Sequence, residues 1–323
     1  MSLVFRASLV TLFLHLACLA QSHASETDQF TYRNQELRDL APLVDRRIND
    51  AIQSIVADWK PKWGPDREKF VRKLRLRADG RYMFNRTSLW ILKQDAEFAG
   101  MSKKGQKHPK RSNSIYASAN IFQATAQVVY GLAPTLNAAG VRIGTDKLCH
   151  FISGGAALYA RRFTSGMSME ELLTSNRNEE SGLYGKFSTG TFSNADLVAN
   201  YEGFLAMQDL FDTSPWTGKE ALLGWDETQA VWTIRREFQI ADYLNPFWDE
   251  AINPSDYTRR LYPVIAENLK KLCNRIGADE LAIRYTISEQ REFELSEKYR
   301  ELGLNLHPEL RLDRFCAEYS QVE

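Results

Sequence analysis

The chain predicts an all-α fold, a mainly helical bundle with a short Gly/Ser-rich loop or hairpin insertion. Apolar residues recur every three or four positions along most of its 323 residues, which is the period of an amphipathic helix. Gly, Pro and Asn-Pro pairs separate these runs, as expected at helix ends. Hydrophobic residues make up 44% of the sequence, which is enough for one large core. The sequence contains no repeat of roughly 20 to 50 residues, which excludes a solenoid.

The first residues have the pattern of a signal peptide. Arg6 precedes an apolar run that ends at Ala20, and Ser22 and Ala24 supply the small residues that signal peptidase requires. We therefore expect residues 1–24 to be removed and the protein to be periplasmic or secreted. No later segment of the sequence reaches the roughly 20 consecutive apolar residues of a transmembrane helix. The sequence thus predicts no membrane span in the mature chain.

The charge of the mature chain, 25–323, limits the classes of partner that it can bind, and its cysteines indicate a possible disulfide. Lys plus Arg and Asp plus Glu each number 41, and loss of Arg6 changes the net charge from 0 to −1, which predicts no nucleic-acid partner. Cys273 and Cys316 could pair in an oxidising compartment, leaving Cys149 as a small buried hydrophobe. A lipid anchor on Cys18 is the alternative to cleavage after Ala24.

We expect a single helical domain with a core over 115–257, N-terminal helices within 36–100 and a C-terminal helical extension over 258–323. A basic loop over 103–114 follows the N-terminal helices. The predicted helices cover Leu40–Trp59, Asp66–Leu76, Thr87–Phe98, Ile115–Tyr130, Gly144–Phe163, Met169–Asn178, Ser193–Phe211, a Trp-bearing segment Glu227–Tyr243 and two charged segments ending near Leu302. The Gly-rich segment 181–190 reads as a loop or short hairpin.

Two of these helices carry the leading candidate site. Asp146 and His150 are four residues apart in one helix, and Asp196 and Asn200 are four apart in another, so each pair shares a helix face. Small residues such as Gly203 allow the two helices to approach closely. The four polar side chains would then converge. Asp146 and His150 could act as an acid–base pair, or His150, Asp146, Asp196 and Asn200 could bind a divalent metal such as zinc.

A structural interpretation of the same residues stays open. Thr145 can cap its helix with Asp146 in the first turn, and Ser193 and Asp196 have the spacing of a capping box. His150 could be a core histidine that is hydrogen-bonded inside the protein. In that case the polar residues would only fix helix packing.

The segment Asp146-Lys147-Leu148-Cys149-His150-Phe151 resembles the D-K-x-x-H-F motif of VanZ-like and YfiM-like bacterial envelope proteins, in which it opens an apolar helix. The likeness covers this one helix. It implies an envelope location and a special role for Asp146, Lys147 and His150. Those families have no settled reaction to transfer.

A second candidate site lies at Glu179-Glu180-Ser181-Gly182, which resembles the E-S-G start of lysozyme-like transglycosylases. The resemblance implies that Glu180 protonates a glycosidic oxygen, which requires an apolar setting that keeps the acid neutral. The alternative is an ordinary solvated helix end. The aromatic residues between Trp225 and Trp248 could stack on sugars, but their helical spacing favours a core role.

The sequence therefore predicts an exported, envelope-associated protein, with hydrolysis by Asp146 and His150 as the leading function. One alternative is a lysozyme-like peptidoglycan glycosidase that uses Glu180. The other is a non-catalytic envelope scaffold or binding protein. Peptidoglycan or lipid is the expected partner.

Overall fold

The computed structural model describes residues 26–79, 106–107, 110–182 and 185–320. The predicted signal peptide, Cys18, the predicted helix 87–98 and part of the basic loop 103–114 lie outside these residues. In the described part of the chain no helix is both long enough and apolar enough to cross a membrane.

The structure is mixed α/β, with 54% helix and 9% strand, so the predicted all-α class is wrong. The α-helices are α1 (Ala41–Ala57), α2 (Arg67–Ala78), α3 (Thr125–Tyr130), α4 (Thr145–Cys149), α5 (Gly155–Phe163), α6 (Met169–Ser181), α7 (Lys186–Thr189), α8 (Asn194–Asp209), α9 (Tyr262–Cys273), α10 (Ala278–Arg284), α11 (Glu289–Lys298) and α12 (Leu312–Tyr319). The strands are β1 (Gln106–Lys107), β2 (Thr135–Ala138), β3 (Val141–Gly144), β4 (Thr191–Phe192), β5 (Leu223–Asp226), β6 (Val231–Ile234) and β7 (Asp256–Tyr257). They form the antiparallel sheets β1-β2-β3, β4-β7 and β5-β6.

The hairpin β5–β6 replaces the first part of the predicted Trp-bearing helix, up to Ile234. Trp225 lies directly opposite Trp232 across the two strands, and their rings are 5.2 Å apart. The interval between these residues fits two helical turns, but it also fits a cross-strand pair on either side of a short turn. Asp226 closes that turn by accepting backbone hydrogen bonds from Thr228 and Gln229.

The hairpin β2–β3 has a comparable local cause. Ala139 and Gly140 both have positive φ values, 49° and 81°, at the turn. Two consecutive residues of this kind are typical of a tight hairpin turn. The hairpin ends at Gly144 and thereby fixes where α4 begins.

Two other predicted segments differ from the structure. The helix expected over 115–130 is reduced to α3, because turns occupy 115–123 and Ser118 adopts a positive φ of 67°. The segment expected to be a loop or hairpin contains α7, which Gly185 precedes and Gly190 ends in the left-handed conformation.

The core combines aliphatic and aromatic side chains. Trp232, Phe238, Tyr243, Phe247 and Trp248 are all buried. The core interpretation of this aromatic set is therefore confirmed. A second apolar cluster lies under the C-terminal helices, where a Cys273–Cys316 disulfide joins α9 to α12, so the predicted pairing is also confirmed.

The two central helices cross at their glycines, as predicted. A Cβ at Gly155 would overlap the backbone of Gly203, and one at Gly203 would overlap the carbonyl of Phe151. A π-helical turn, His150–Gly154, separates α4 from α5 and lies against α8. Because π-helical turns are uncommon and frequently occur at functional sites, the polar residues at this crossing are candidates for function.

Candidate functional site

Lys147 is the centre of a buried cluster of charges. Its ammonium nitrogen lies 2.8 Å from Asp146 Oδ2, 2.6 Å from Asp196 Oδ1 and 2.7 Å from Glu250 Oε1. The side chains of Lys147 and Glu250 are completely shielded from solvent. Lysine is almost never fully buried unless it is paired, and here three carboxylates surround it, two of which, Asp196 and Glu250, come from distant parts of the chain.

Hydrogen bonds hold these carboxylates in place. Thr27 Oγ1 donates to Asp146 Oδ1 at 2.7 Å, and Ser193 Oγ donates to Glu250 Oε1 at 3.1 Å. Ser193 also caps α8 by accepting from the backbone nitrogen of Asp196 at 3.2 Å. The predicted cap is therefore present, and its hydroxyl also belongs to the cluster.

The cluster sets the charge of each member. Burial alone would lower the pKa of Lys147, but the surrounding carboxylates, Asp146 first, raise it well above its usual value. Burial raises the pKa of Glu250 to about 7, against the opposing effect of Lys147. Burial would also raise the pKa of Asp196, but His150 and Lys147 outweigh it and hold that pKa below its usual value. Asp196 is therefore ionised at neutral pH.

His150 lies on the π-helical turn at the edge of this cluster. Its Nδ1 is 3.1 Å from Asn200 Oδ1, and its Nε2 is 3.3 Å from Asp196 Oδ2. Asn200 is oriented by its own hydrogen bond to Asn176 Oδ1 at 2.8 Å. A proton on Nδ1 would be donated to the Asn200 carbonyl oxygen, because the Asn200 amide nitrogen is directed to Asn176, and Nε2 faces the Asp196 carboxylate.

Glu180 lies at the end of α6, next to the start of α8. Its Oε1 accepts a hydrogen bond of 2.8 Å from the backbone nitrogen of Ser193. Burial, and next the negative charge of Asp196, raise the pKa of Glu180 well above its usual value. A raised pKa of this kind is the property that a general acid requires.

A cleft of about 770 Å³ opens beside these groups. One wall is the polar face of α2, and the floor is the π-helical turn with α5. The opposite wall includes Asn176, Glu180 and Asn200, and His150 lines the same space with 29% of its side chain exposed. The two sites that the sequence presents as rivals, His150 with Asp196 and Glu180 with its helix end, therefore meet in one cleft.

The structure separates Asp146 from His150, although both come from the same motif. The oxygens of Asp146 are engaged by Thr27 and Lys147, and it is 98% shielded from solvent. Asp196 lies beside the imidazole, where the sequence predicts Asp146. Asp146 therefore acts on Lys147 and not on His150.

The same arrangement bears on the predicted metal site. Asp146, Asp196 and Glu250 offer ligand oxygens within 4.8 Å of one another, as a metal site requires. The Lys147 ammonium contacts all three, so it supplies the positive charge that a metal ion would supply there. Of the predicted zinc ligands, His150 contacts Asp196 and Asn200, whereas Asp146 faces Lys147 in the buried cluster.

The sequence does not predict several residues of the site. Glu250 contacts Lys147 across 103 positions of sequence, and Asn176 reaches Asn200 from another helix. Asp79, just after α2, accepts hydrogen bonds from Cys149 and Ser153 on the floor of the cleft. No local spacing predicts these contacts. The burial of Lys147 had one sequence signal, the small and apolar residues that follow it in its helix.

Comparison with known proteins gives no guide to this site. No protein-family model matches the chain, and no curated protein or solved structure is significantly similar to it. The chemistry proposed for this site therefore rests on its geometry alone.

Proposed function

We propose that this protein is an exported, envelope-associated hydrolase in which His150 with Asp196 is the base and Glu180 is the acid. The observation that carries the proposal is that His150, whose imidazole lies beside the Asp196 carboxylate, and Glu180, whose pKa is raised by burial, line one cleft. Pairs of titratable groups whose surroundings push their pKa values in opposite directions are characteristic of acid–base catalysis.

The reaction balances with these groups alone. His150 Nε2 takes a proton from a water molecule as the water oxygen attacks the substrate, and the nearby Asp196 stabilises the imidazolium that forms. Glu180 gives its proton to the leaving oxygen as the bond to that oxygen breaks. Return of the proton from His150 to Glu180 through solvent restores the starting state. Asn200 and Asn176 hold the imidazole in the required tautomer.

This proposal changes the pairing that the sequence predicts but keeps its reaction class. Asp196 replaces Asp146 as the partner of His150, and Glu180 joins the same site as the acid. A peptidoglycan glycosidase is the specific form in which Glu180 protonates a glycosidic oxygen. The envelope location and the signal peptide remain parts of the proposal that rest on the sequence.

A non-catalytic binding protein is the second candidate. The observation in its favour is that both ring nitrogens of His150 already face oxygens of the protein. In that role the polar network would fix the helix crossing, and the cleft would bind its partner without cleaving it.

The test compares hydrolysis by wild type, His150→Gln and Glu180→Gln. The substrates are purified peptidoglycan, a chromogenic acyl ester and a chromogenic phosphodiester. On the substrate that wild type cleaves, we expect each variant to lose about 10²- to 10⁴-fold in kcat, the usual contribution of a general acid or base. His307→Gln and Glu170→Gln, which change partly exposed or exposed residues away from the cleft, are the matched controls.

Melting temperatures of the variants separate loss of catalysis from loss of folding. If wild type cleaves a substrate and both site variants cleave it equally well, the acid–base assignment is wrong. If wild type cleaves none of the three substrates, the hydrolase proposal is abandoned for the binding role.

A further inference from the structure

The wall of the cleft formed by α2 carries two arginines that form no ion pair with the described residues. Arg72 and Arg75 both line the cleft, and neither guanidinium has a hydrogen bond or ion pair within the described chain. The other basic residues of the lining are paired. Lys69 binds Asp66 at 2.7 Å, and Arg161 binds Glu179.

The arginines lie on the side of α2 that faces the candidate site. Arg72, Arg75 and Asp79 follow one another at intervals of three and four residues, so they share one side of the helix and its C-terminal end. Asp79 contacts Cys149 and Ser153, which directs this side toward the segment that holds His150.

The acidic residues of the lining leave these two guanidinium groups without a close partner. Asp66 and Glu179 are already paired with Lys69 and Arg161. Glu68, exposed near the start of α2, and Glu180, whose pKa burial raises, are the other acids of the lining. Within the described chain neither acid forms an ion pair with Arg72 or Arg75, so both guanidinium groups are available to a ligand in the cleft next to His150.

We propose that Arg75, assisted by Arg72, binds an oxyanion of the substrate, either a phosphate or a carboxylate group. The planar guanidinium offers several N–H donors in a fixed geometry that matches both kinds of oxyanion. The inference rests on the proposed function only in placing the reacting bond beside His150 and Glu180. Binding of the anion itself requires no catalysis.

The test measures binding of inorganic phosphate and, separately, acetate to the full mature protein by calorimetry at low ionic strength. We expect wild type to bind at least one of them, and Arg75→Ala to weaken that binding by about 10- to 100-fold, the usual effect of losing a charged hydrogen-bond donor. Arg75→Lys, which keeps the charge but loses the fork of donors, should fall between the two. Comparison of phosphate with acetate identifies which oxyanion the cleft prefers.

Arg38→Ala is the control, because it removes an exposed arginine outside the cleft lining. It should bind the anion as wild type does. Arg75→Ala should melt at the wild-type temperature, since the Arg75 side chain forms no hydrogen bond or ion pair with the residues that the structure describes. Failure of wild type to bind either anion, or equal binding by wild type and Arg75→Ala, overturns the inference. Neither result depends on whether His150 and Glu180 catalyse hydrolysis, so this proposal and the hydrolase proposal can fail separately.

Discussion

The two sides of the central helix crossing treat charge in opposite ways. On the inner side, the side chains of Lys147 and Glu250 are completely buried, and the ammonium is surrounded by carboxylates. On the outer side, His150 is 29% exposed and faces a cleft with two arginines that form no ion pair in the described part of the chain. The inner charges form ion pairs with one another, whereas the outer charges are accessible to a ligand.

Asp196 belongs to both sides and connects them. Its Oδ1 contacts Lys147 and its Oδ2 lies beside His150. Because Lys147 helps to keep Asp196 ionised, the inner cluster influences the electrostatic environment of His150 through Asp196. One short motif therefore contributes to both sides, with Asp146 and Lys147 directed inward and His150 directed outward.

Removing the central charge should have the largest effect on stability. In Lys147→Met the carboxylates of the inner cluster lose their common partner, and we expect the free energy of unfolding at pH 7 to fall by about 3–5 kcal/mol. Urea unfolding followed by circular dichroism measures this. The loss should shrink at pH 5, where the carboxylates can take up protons. Lys62→Met, at an exposed lysine, should change stability by less than about 0.5 kcal/mol. A Lys147→Met protein as stable as wild type would show that the inner cluster is not held by ion pairs.

The sequence could predict the outer side better than the inner one. Asp196 and Asn200 do share a face, and glycines do mark the crossing, because both features repeat with the period of a helix. The inner cluster depends on Glu250, which lies 103 positions from Lys147 and which no periodic pattern connects to it.

The errors in fold class have a similar origin. The interval from Trp225 to Trp232 fits both a helix face and a hairpin, and only the turn at Asp226 distinguishes them. Local spacing identifies which residues can lie together on one element. It does not identify which distant element supplies the partner.

The pH dependence of stability should come next in size. The pKa of Glu250 is about 7 in the folded chain, above the value of about 4.3 for an unfolded glutamate. Its stabilising contribution is therefore fully present below about pH 4.3 and is lost as the pH rises toward 7, by up to about 1.4 kcal/mol per pH unit. Glu250→Gln can still accept hydrogen bonds but has no proton to lose, so its stability should fall less steeply between pH 4.5 and 7.

Urea unfolding at several pH values measures that slope. Glu170→Gln, at an exposed position on α6, should follow the wild-type curve. Parallel curves for wild type and Glu250→Gln would mean that Glu250 titrates normally, and the inner side would then be no more protected from solvent than the outer.

The smallest effect compares an exposed helix cap, which forms a capping box with Glu171, with a buried helix cap. Ser168 caps α6 at the surface and Ser193 caps α8 inside the protein, each accepting a backbone hydrogen bond of 3.2 Å. Ser168→Ala should cost about 1 kcal/mol, the usual value of a cap. Ser193→Ala should cost about 1 kcal/mol more, because the Ser193 hydroxyl also donates to the buried Glu250 and its loss leaves that carboxylate with one donor fewer. Thermal or urea unfolding of the two variants measures the difference. Equal losses would show that the Ser193 hydroxyl serves the helix alone, and the inner cluster would then be held by Lys147 without help from the start of α8.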